Sequence, residues 1–359
     1  MLTAWLPYLT ILVSGFLHTF NVKKLYKPFL ILGAILIILL AAGREYGSVS
    51  DLENYQLYYA ITSLDDIGHT GTGLEIGYCF LMAVVKDIFS GDFYVFLFIV
   101  NSLTFLAVCR VTYKYSVNYA LSLLIYFSFY FFLYEGGALR QGLAMFFTVS
   151  SFVFIIQKKA VWFYAYVVIA FTCHASAVLF LPAYWAAWHL QAKPKTAAWI
   201  VVALVPLVFV DLMPYIGRFF TFFSQADKYA DLYTGTGGHV ERVGLTLGVV
   251  LKVVFFVIYA FSYDKNNAIQ SVLFRLYWFY LLLYMPLSSV AIISSRGLDY
   301  YKIFDMITLT YAVKNQRTRG NKVAVATLIL AYTAYSLFET TVALKRFPSV
   351  LQDMLNVIS

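Results

Sequence analysis

Long apolar stretches alternate with short polar segments along almost the whole chain. The pattern predicts twelve helices rich enough in apolar residues for a membrane protein. They run over Thr3 to Phe20, Pro28 to Ala42, Phe93 to Cys109, Val117 to Tyr134, Leu139 to Ile156, Val161 to Thr172, Ser176 to His189, Ala197 to Val210, Leu245 to Phe261, Val272 to Ile293, Tyr300 to Val313 and Val323 to Thr341. Since a helix satisfies its own backbone hydrogen bonds in lipid, the pattern predicts an all-α polytopic membrane protein with a single membrane domain, residues 1–359.

Composition supports this fold class. Of the 359 residues 62% are hydrophobic and only 12% are charged, against roughly a quarter charged in soluble domains. The net charge of +8 would suggest a nucleic-acid partner in a soluble chain. Here the Lys and Arg residues lie mostly in short loops between apolar stretches, which is the pattern that sets membrane orientation. No nucleic acid is therefore expected as a partner.

The loop charges predict a topology. Basic residues cluster in alternate loops, which should be cytoplasmic, and the alternation holds only if Glu75 to Phe89 does not span the membrane. We expect that segment, about residues 75–89, to form a helix that is re-entrant or lies along the outer, periplasmic face. The two short stretches Val161 to Thr172 and Ser176 to His189 fit a hairpin with His174 at its outer tip. The large outer loops then cover about residues 44–92 and 214–243.

The first outer loop has the sequence GREYGSVSDLENYQLYY from Gly43 to Tyr59. Arg44 stands where an apolar helix should leave the membrane, and Asp51 and Tyr55 follow. A cation, carboxylates and aromatic rings suit an anionic ligand that carries sugars. The alternative is an ordinary interfacial loop in which Arg44 reaches the headgroups and the tyrosines form an aromatic belt.

Two further arginines stand at predicted outer helix ends. Arg140 and Gln141 open an apolar helix, where the helix dipole and free N–H groups favour an anion such as pyrophosphate. A structural ion pair between Arg140 and Glu135 is the alternative. Arg296 lies between two serines and a Tyr-Tyr pair. Together with Arg44, three outer-face arginines on separate helix ends favour an anionic ligand over packing alone.

Three residues are candidates for taking a proton from a hydroxyl group: His174, Asp51 and Glu75. A lone histidine among apolar residues can equally be a packing residue. Asp51 and Glu53 could together hold a divalent metal, but paired carboxylates are common in solvated loops. No metal and no cofactor is expected, and the choice among the three candidate bases stays open.

Five short motifs in order carry a resemblance to a known family. They are Arg44 with Asp51 and Tyr55, Glu75-Ile76-Gly77-Tyr78, Leu139-Arg140-Gln141-Gly142-Leu143-Ala144, His174-Ala175-Ser176-Ala177, and Arg296 with Tyr300-Tyr301. The chain resembles, over roughly Arg44 to Tyr301, the EpsG-like family of bacterial polysaccharide polymerases, which belongs with the Wzy-type O-antigen and capsule polymerases. The first motif departs from the family pattern, because Val49 and Ser50 precede Asp51 where the family usually has Gly-Thr.

The resemblance implies a GT-C-like glycosyltransferase of the bacterial inner membrane with its active site facing the periplasm. The donor would be a growing glycan on undecaprenyl pyrophosphate, and the acceptor a lipid-linked repeat unit. A chain-length regulator and a flippase are the expected partners, besides membrane lipid. The implied roles are pyrophosphate binding for Arg44, Arg140 and Arg296, substrate binding for Tyr55, Gln141, Tyr300 and Tyr301, and proton transfer for His174, Asp51 or Glu75.

Two other functions fit the same features. An O-antigen ligase would pass finished polymer from the same lipid carrier to another acceptor. A flippase or transporter for lipid-linked sugars would use the arginines to line a passage and form no bond. Transporters often show internal repeats, and no such repeat is evident in this sequence.

Overall fold

A computed structural model describes residues 2–19, 23–42, 52–67, 73–135, 137–210, 244–288 and 293–343. Within these ranges the chain is helical and contains no β-strand, so the predicted all-α class is confirmed. The α-helices are α1 (Leu2–Thr19), α2 (Lys23–Ala42), α3 (Leu52–Ile61), α4 (Ile76–Ala83), α5 (Phe93–Tyr115), α6 (Tyr119–Tyr126), α7 (Phe132–Tyr134), α8 (Leu139–Ile156), α9 (Ala160–Cys173), α10 (Ala183–His189), α11 (Pro194–Leu204), α12 (Leu247–Ser262), α13 (Ala268–Leu287), α14 (Asp299–Lys302), α15 (Asp305–Lys314) and α16 (Arg319–Ala343).

Length and composition identify the membrane helices. Within the described ranges, four segments are long and apolar enough to cross a bilayer: Phe93–Tyr115, Leu139–Ile156, Ala268–Leu287 and Arg319–Thr341. Six shorter apolar segments accompany them: Trp5–Leu17, Tyr26–Leu40, Tyr119–Tyr134, Ala160–Cys173, Pro194–Phe209 and Leu247–Ser262. The chain is therefore a polytopic helical membrane protein. The number of twelve membrane helices stays a prediction.

Several predicted helices are divided in the structure; the stretch from Val117 to Tyr134, for example, contains α6, a π-helical turn, Phe127–Phe131, and α7. The stretch expected as one helix from Ser176 to His189 forms a 3-10 turn, Ala175–Phe180, followed by α10. Pro182 stands at the junction, where its missing N–H and fixed φ interrupt the helical ladder. The stretch expected from Tyr300 to Val313 divides into α14 and α15.

The segment predicted not to span, Glu75 to Phe89, is helical. α4 continues into a π-helical turn, Val84–Ile88. At 1.5 Å per residue the two together extend roughly 20 Å, less than the hydrocarbon core of about 30 Å. That length fits a segment that does not cross the bilayer, and its re-entrant or interfacial placement stays a prediction.

The chain divides into two compact units. The first unit comprises residues 1–178 and 305–359, where α1 packs on α2, and α8 packs on both α5 and α9. Its core is aromatic: Tyr126, Tyr130 and Tyr134 are fully buried and stack at helical spacing, with ring centroids 6.1 and 6.4 Å apart. Aromatic pairs at four-residue spacing stabilise a helix face.

The second unit comprises residues 179–304, and α13 lies at its centre, against α10, α11 and α12. The ring of Phe274 on α13 stacks on Tyr263 with centroids 4.6 Å apart and lies 5.7 Å from the ring of Phe256 on α12. Arg275 on the same helix donates a hydrogen bond to the carbonyl of Ala187. That the two units belong to one membrane domain, residues 1–359, stays a prediction.

Candidate active site

The amino-terminal end of α8 is held tightly within the first unit. A Cβ on Gly142 would stand 2.9 Å from the carbonyl oxygen of Tyr134, so only glycine permits this approach of α8 to α7. Thr104 on α5 donates a hydrogen bond to the carbonyl of Gly142 at 2.9 Å. These contacts fix the first turn of α8 and, with it, Arg140 at the second residue of the helix.

A helical hairpin of α3 and α4 supplies two partners of Arg140. The Lys86 ammonium donates to the carbonyls of Ala60 at 2.6 Å and Thr62 at 2.9 Å, at the carboxyl end of α3. The neighbouring Asp87 carboxylate accepts from the amide of Leu64 at 2.7 Å. Cations near the end of a helix satisfy its last carbonyls. The far end of α4 is thereby fastened to the end of α3.

A close contact between α4 and α9 brings Glu75 next to His174. A Cβ on Gly77 would overlap the Thr172 hydroxyl and stand 2.8 Å from the Thr172 carbonyl oxygen. Glu75 lies two residues before this glycine, and His174 lies two residues after the threonine. The absence of a side chain at position 77 therefore lets the two ionisable groups meet.

Four side chains form the cluster, which we call the Glu75 cluster: Tyr55, Glu75, Arg140 and His174. Arg140 Nη1 donates to Glu75 Oε2 at 2.7 Å, and Arg140 Nε donates to the Tyr55 hydroxyl at 3.3 Å. Glu75 Oε1 lies 3.0 Å from His174 Nδ1 and accepts from the amide of Ala175 at 3.1 Å. Side-chain exposures of 19% for Glu75, 26% for Arg140 and 22% for His174 leave the cluster reachable by a ligand.

The Glu75 carboxyl is held in its ionised form. Partial burial raises its pKa, but the hydrogen bond to His174, the charges of Arg140 and His174 and the amide of Ala175 outweigh burial and lower the pKa to about 2. The carboxylate is therefore a hydrogen-bond acceptor at both oxygens near neutral pH. Such an arrangement orients its partners rather than taking up protons itself.

Aromatic rings form one wall of the cluster. The ring of Tyr55 lies 5.8 Å from that of Tyr78, which in turn meets Phe96 edge to face at 5.4 Å. The Tyr78 hydroxyl is fully buried and has no hydrogen-bond partner among the residues that the structure describes. Tyr78 belongs to the Glu-Ile-Gly-Tyr motif, but the sequence analysis assigned it no role. Its contact with Tyr55 places it directly behind the cluster.

The remaining predicted site residues take several positions. Gln141 follows Arg140 on α8 and is buried, whereas Arg296 is exposed on a π-helical turn, Ile293–Gly297, of the second unit. In that unit Tyr300 and Tyr301 are buried, and the Tyr301 hydroxyl donates to the carbonyl of Leu179 at 2.7 Å. Contact of these four residues with substrate stays a prediction. Arg44 and Asp51 lie outside the described residues.

One charged residue differs from the sequence-based expectation, and another was not singled out from the sequence. Glu135, considered as an ion-pair partner of Arg140, is fully buried and accepts a hydrogen bond from the Tyr126 hydroxyl at 2.5 Å, while Arg140 pairs with Glu75. The sequence analysis assigned no role to Lys252, which lies in the apolar helix α12. Its ammonium is 4.1 Å from the centre of the Tyr284 ring. A charge inside an apolar helix is itself a signal of a functional or paired position.

Metal binding has no support in the described part of the chain, since no group of three or more His, Cys, Asp or Glu comes together there. The Glu75 cluster offers different chemistry. A guanidinium near a helix amino terminus suits an oxyanion, and an imidazole fixed by a carboxylate suits proton transfer.

The fold and this cluster define a polytopic helical membrane protein with a site that contains an arginine, a glutamate and a histidine. The sequence matches the model of the EpsG family over residues 29–350, and the chain therefore belongs to the EpsG family. That family is associated with polysaccharide polymerases and glycosyltransferase-like activity. Neither the search of curated proteins nor that of solved structures finds a match.

Proposed function

We propose that the protein is a bacterial polysaccharide polymerase with a GT-C-like arrangement of about twelve membrane helices. It transfers a growing glycan from undecaprenyl pyrophosphate to a lipid-linked repeat unit at the periplasmic face of the inner membrane. Membership of the EpsG family supports the reaction class. The observation that carries the proposal further is the position of Arg140, partly exposed at the start of α8 and held by Glu75 and Tyr55.

Arg140 is suited to the leaving group of this reaction. Of the five N–H donors of a guanidinium, two are used in bonds to described residues, Glu75 and Tyr55. The others can bind a phosphate oxygen, and the amino terminus of α8 adds a favourable dipole. Negative charge develops on the pyrophosphate as the glycosidic bond breaks, so a fixed cation there lowers the barrier. Arg44 and Arg296 stay predicted additions to this function.

Substitution of Arg140 tests the proposal in cells that depend on this protein for polymer. With Arg140→Ala we expect normal membrane insertion but a loss of chain growth of about 10²-fold or more, the scale of a lost transition-state donor. Arg140→Lys should recover only part of the rate, because an ammonium lacks the planar fork of the guanidinium. The measurement is the ladder of glycan lengths on a gel.

The matched control is Arg319→Ala, which removes an exposed arginine at the start of α16. It should leave the ladder unchanged. A normal ladder in Arg140→Ala cells would contradict the proposed function. Accumulated full-length polymer that is not attached to its final acceptor would instead indicate a ligase.

A further inference from the structure

The two nitrogens of His174 have different environments. Nδ1 lies 3.0 Å from Glu75 Oε1, and an ionised carboxylate can only accept hydrogen bonds. Nδ1 must therefore carry the proton. In a neutral imidazole this leaves Nε2 as the nitrogen with a free lone pair.

Glu75 is unsuited to be the base itself. Both of its oxygens are already engaged, one by Arg140 and the other by His174 and the Ala175 amide. Its pKa of about 2 makes it a weak base near neutral pH, whereas an efficient general base has a pKa close to the working pH. Its contacts are those of a group that orients an imidazole, as carboxylates do in other His-dependent enzymes.

The backbone fixes the imidazole on the other side. His174 ends α9 in an extended conformation, with φ −158° and ψ 123°, and its amide donates to the carbonyl of Ala170. Ala175 then turns its own amide to the same Glu75 oxygen that His174 contacts. The ring is held at its base by the helix end and at Nδ1 by the carboxylate, while 22% of the side chain stays exposed.

On this geometry, and resting on the proposed function, we infer that His174 accepts the proton of the acceptor hydroxyl at Nε2 and that Glu75 is the positioning residue that holds Nδ1–H. The acceptor oxygen forms its bond to the anomeric carbon as its proton moves to Nε2. The bond from that carbon to the pyrophosphate oxygen breaks, and the leaving undecaprenyl pyrophosphate keeps the electron pair. The imidazolium later returns the proton to water.

The test uses the full-length protein in vesicles of phosphatidylethanolamine and phosphatidylglycerol. The probe is undecaprenyl-pyrophosphate-linked repeat units extracted from a strain that lacks the polymerase gene, and the readout is the rate of glycan elongation. His174→Ala should lower kcat by about 10²- to 10⁴-fold, the usual contribution of a general base. Added imidazole should restore part of that rate, which a purely structural role of His174 would not allow.

Three further variants sharpen the test. His174→Gln keeps an N–H donor for Glu75 but has no basic nitrogen, so it should fold normally and be as slow as His174→Ala. His189→Ala removes an exposed histidine at the end of α10 and should elongate at the normal rate. Glu75→Gln should lower kcat in the wild type, but by less when His174 is already Ala, because only the part of its effect that acts through Arg140 then remains.

The outcomes separate the inference from the function on which it rests. Failure of the wild-type protein to elongate the repeat units would contradict the proposed function. Elongation by the wild type, with His174→Ala and His174→Gln both within a few-fold of its rate, would overturn the role of His174. Losses of kcat from Glu75→Gln and His174→Ala that multiply in full in the double variant would overturn the positioning of His174 by Glu75.

Discussion

The Glu75 carboxylate uses both of its oxygens in the structure. Oε2 binds the Arg140 guanidinium, and Oε1 binds His174 and the Ala175 amide. One residue thus sets the positions of the cation proposed for the pyrophosphate and of the imidazole proposed for the acceptor. Charge-assisted hydrogen bonds of this kind are roughly twice as strong as neutral ones, so the cluster keeps its geometry before substrate arrives.

The low pKa of Glu75 predicts a pH dependence of stability. The folded pKa of about 2 lies below the ordinary value of 4.5, so the stabilisation is complete above about pH 4.5 and is lost as the pH falls towards 2. Linkage puts it on the order of 3 kcal/mol. We therefore expect Glu75→Gln to lower the Tm near neutral pH and to flatten the fall of Tm in acid, as measured by thermal unfolding in detergent.

Glu53→Gln is the control, because Glu53 is an exposed carboxylate on the neighbouring helix α3. It should reproduce the wild-type dependence of Tm on pH. If the Tm of Glu75→Gln fell in acid as steeply as that of the wild type, the Glu75 carboxylate would not be stabilised in its ionised form by Arg140 and His174.

The sequence alone singles out Arg140, Glu75 and His174, because an ionisable side chain beside an apolar helix costs free energy unless it is paired or has a function. The contacts among these three residues could not be predicted from the sequence. Glu75 lies 65 residues from Arg140 and 99 residues from His174. A nearby carboxylate, Glu135, was the obvious partner for Arg140 by sequence distance, yet it is buried and bound by Tyr126.

At the scale of elements, the packing of α4 on α9 assembles the site. Gly77 allows the two helices to touch at Thr172, and the residues just beyond this contact are Glu75 and His174. α4 therefore does more than connect α3 to α5. Glu75, just before its first turn, contacts His174, and Lys86, in the π-helical turn that follows α4, donates to the carbonyls of Ala60 and Thr62 at the end of α3.

Gly77→Ala should disturb the site without changing any charged residue. The added Cβ would overlap the Thr172 hydroxyl and approach its carbonyl oxygen, so α4 must move away from α9. Overpacking of this kind costs typically about 1 to 3 kcal/mol. We expect a lower Tm and slower elongation, since Glu75 no longer reaches His174.

Gly320→Ala is the matched control, because a Cβ at that position in α16 meets no atom within 4 Å. Alanine favours a helix over glycine by up to about 1 kcal/mol, so this control should be as stable as the wild type or more so. Equal Tm and equal elongation rates for the two glycine variants would show that the α4–α9 contact does not position the site.

Apolar helices were the most predictable elements. α8 occupies the range expected for it, Leu139 to Ile156, because its apolar run is bounded on both sides by polar or small residues. Within the first outer loop, the sequence predicts a helix near residues 75–89 but not α3, which carries polar residues on most of its faces and lacks a clear apolar period. Pro182 divides the stretch from Ser176 to His189. The pattern of apolar residues is unbroken across this proline and therefore does not indicate the division.

At the scale of the whole molecule, the EpsG family assignment covers residues 29–350, and thus both compact units. The proposed polysaccharide polymerisation is consistent both with this family and with the Glu75 cluster. A flippase would need the arginine but would have no use for an imidazole oriented by a carboxylate. Bond formation therefore distinguishes the two functions most clearly.

The most direct test of this account supplies the purified protein, in vesicles, with undecaprenyl-pyrophosphate-linked repeat units and measures the length of the glycans by mass spectrometry. We predict lipid-linked products of two or more repeats in the absence of any nucleotide sugar, together with released undecaprenyl pyrophosphate. Repeat units that cross the bilayer but stay single in length would contradict the account and identify a transporter.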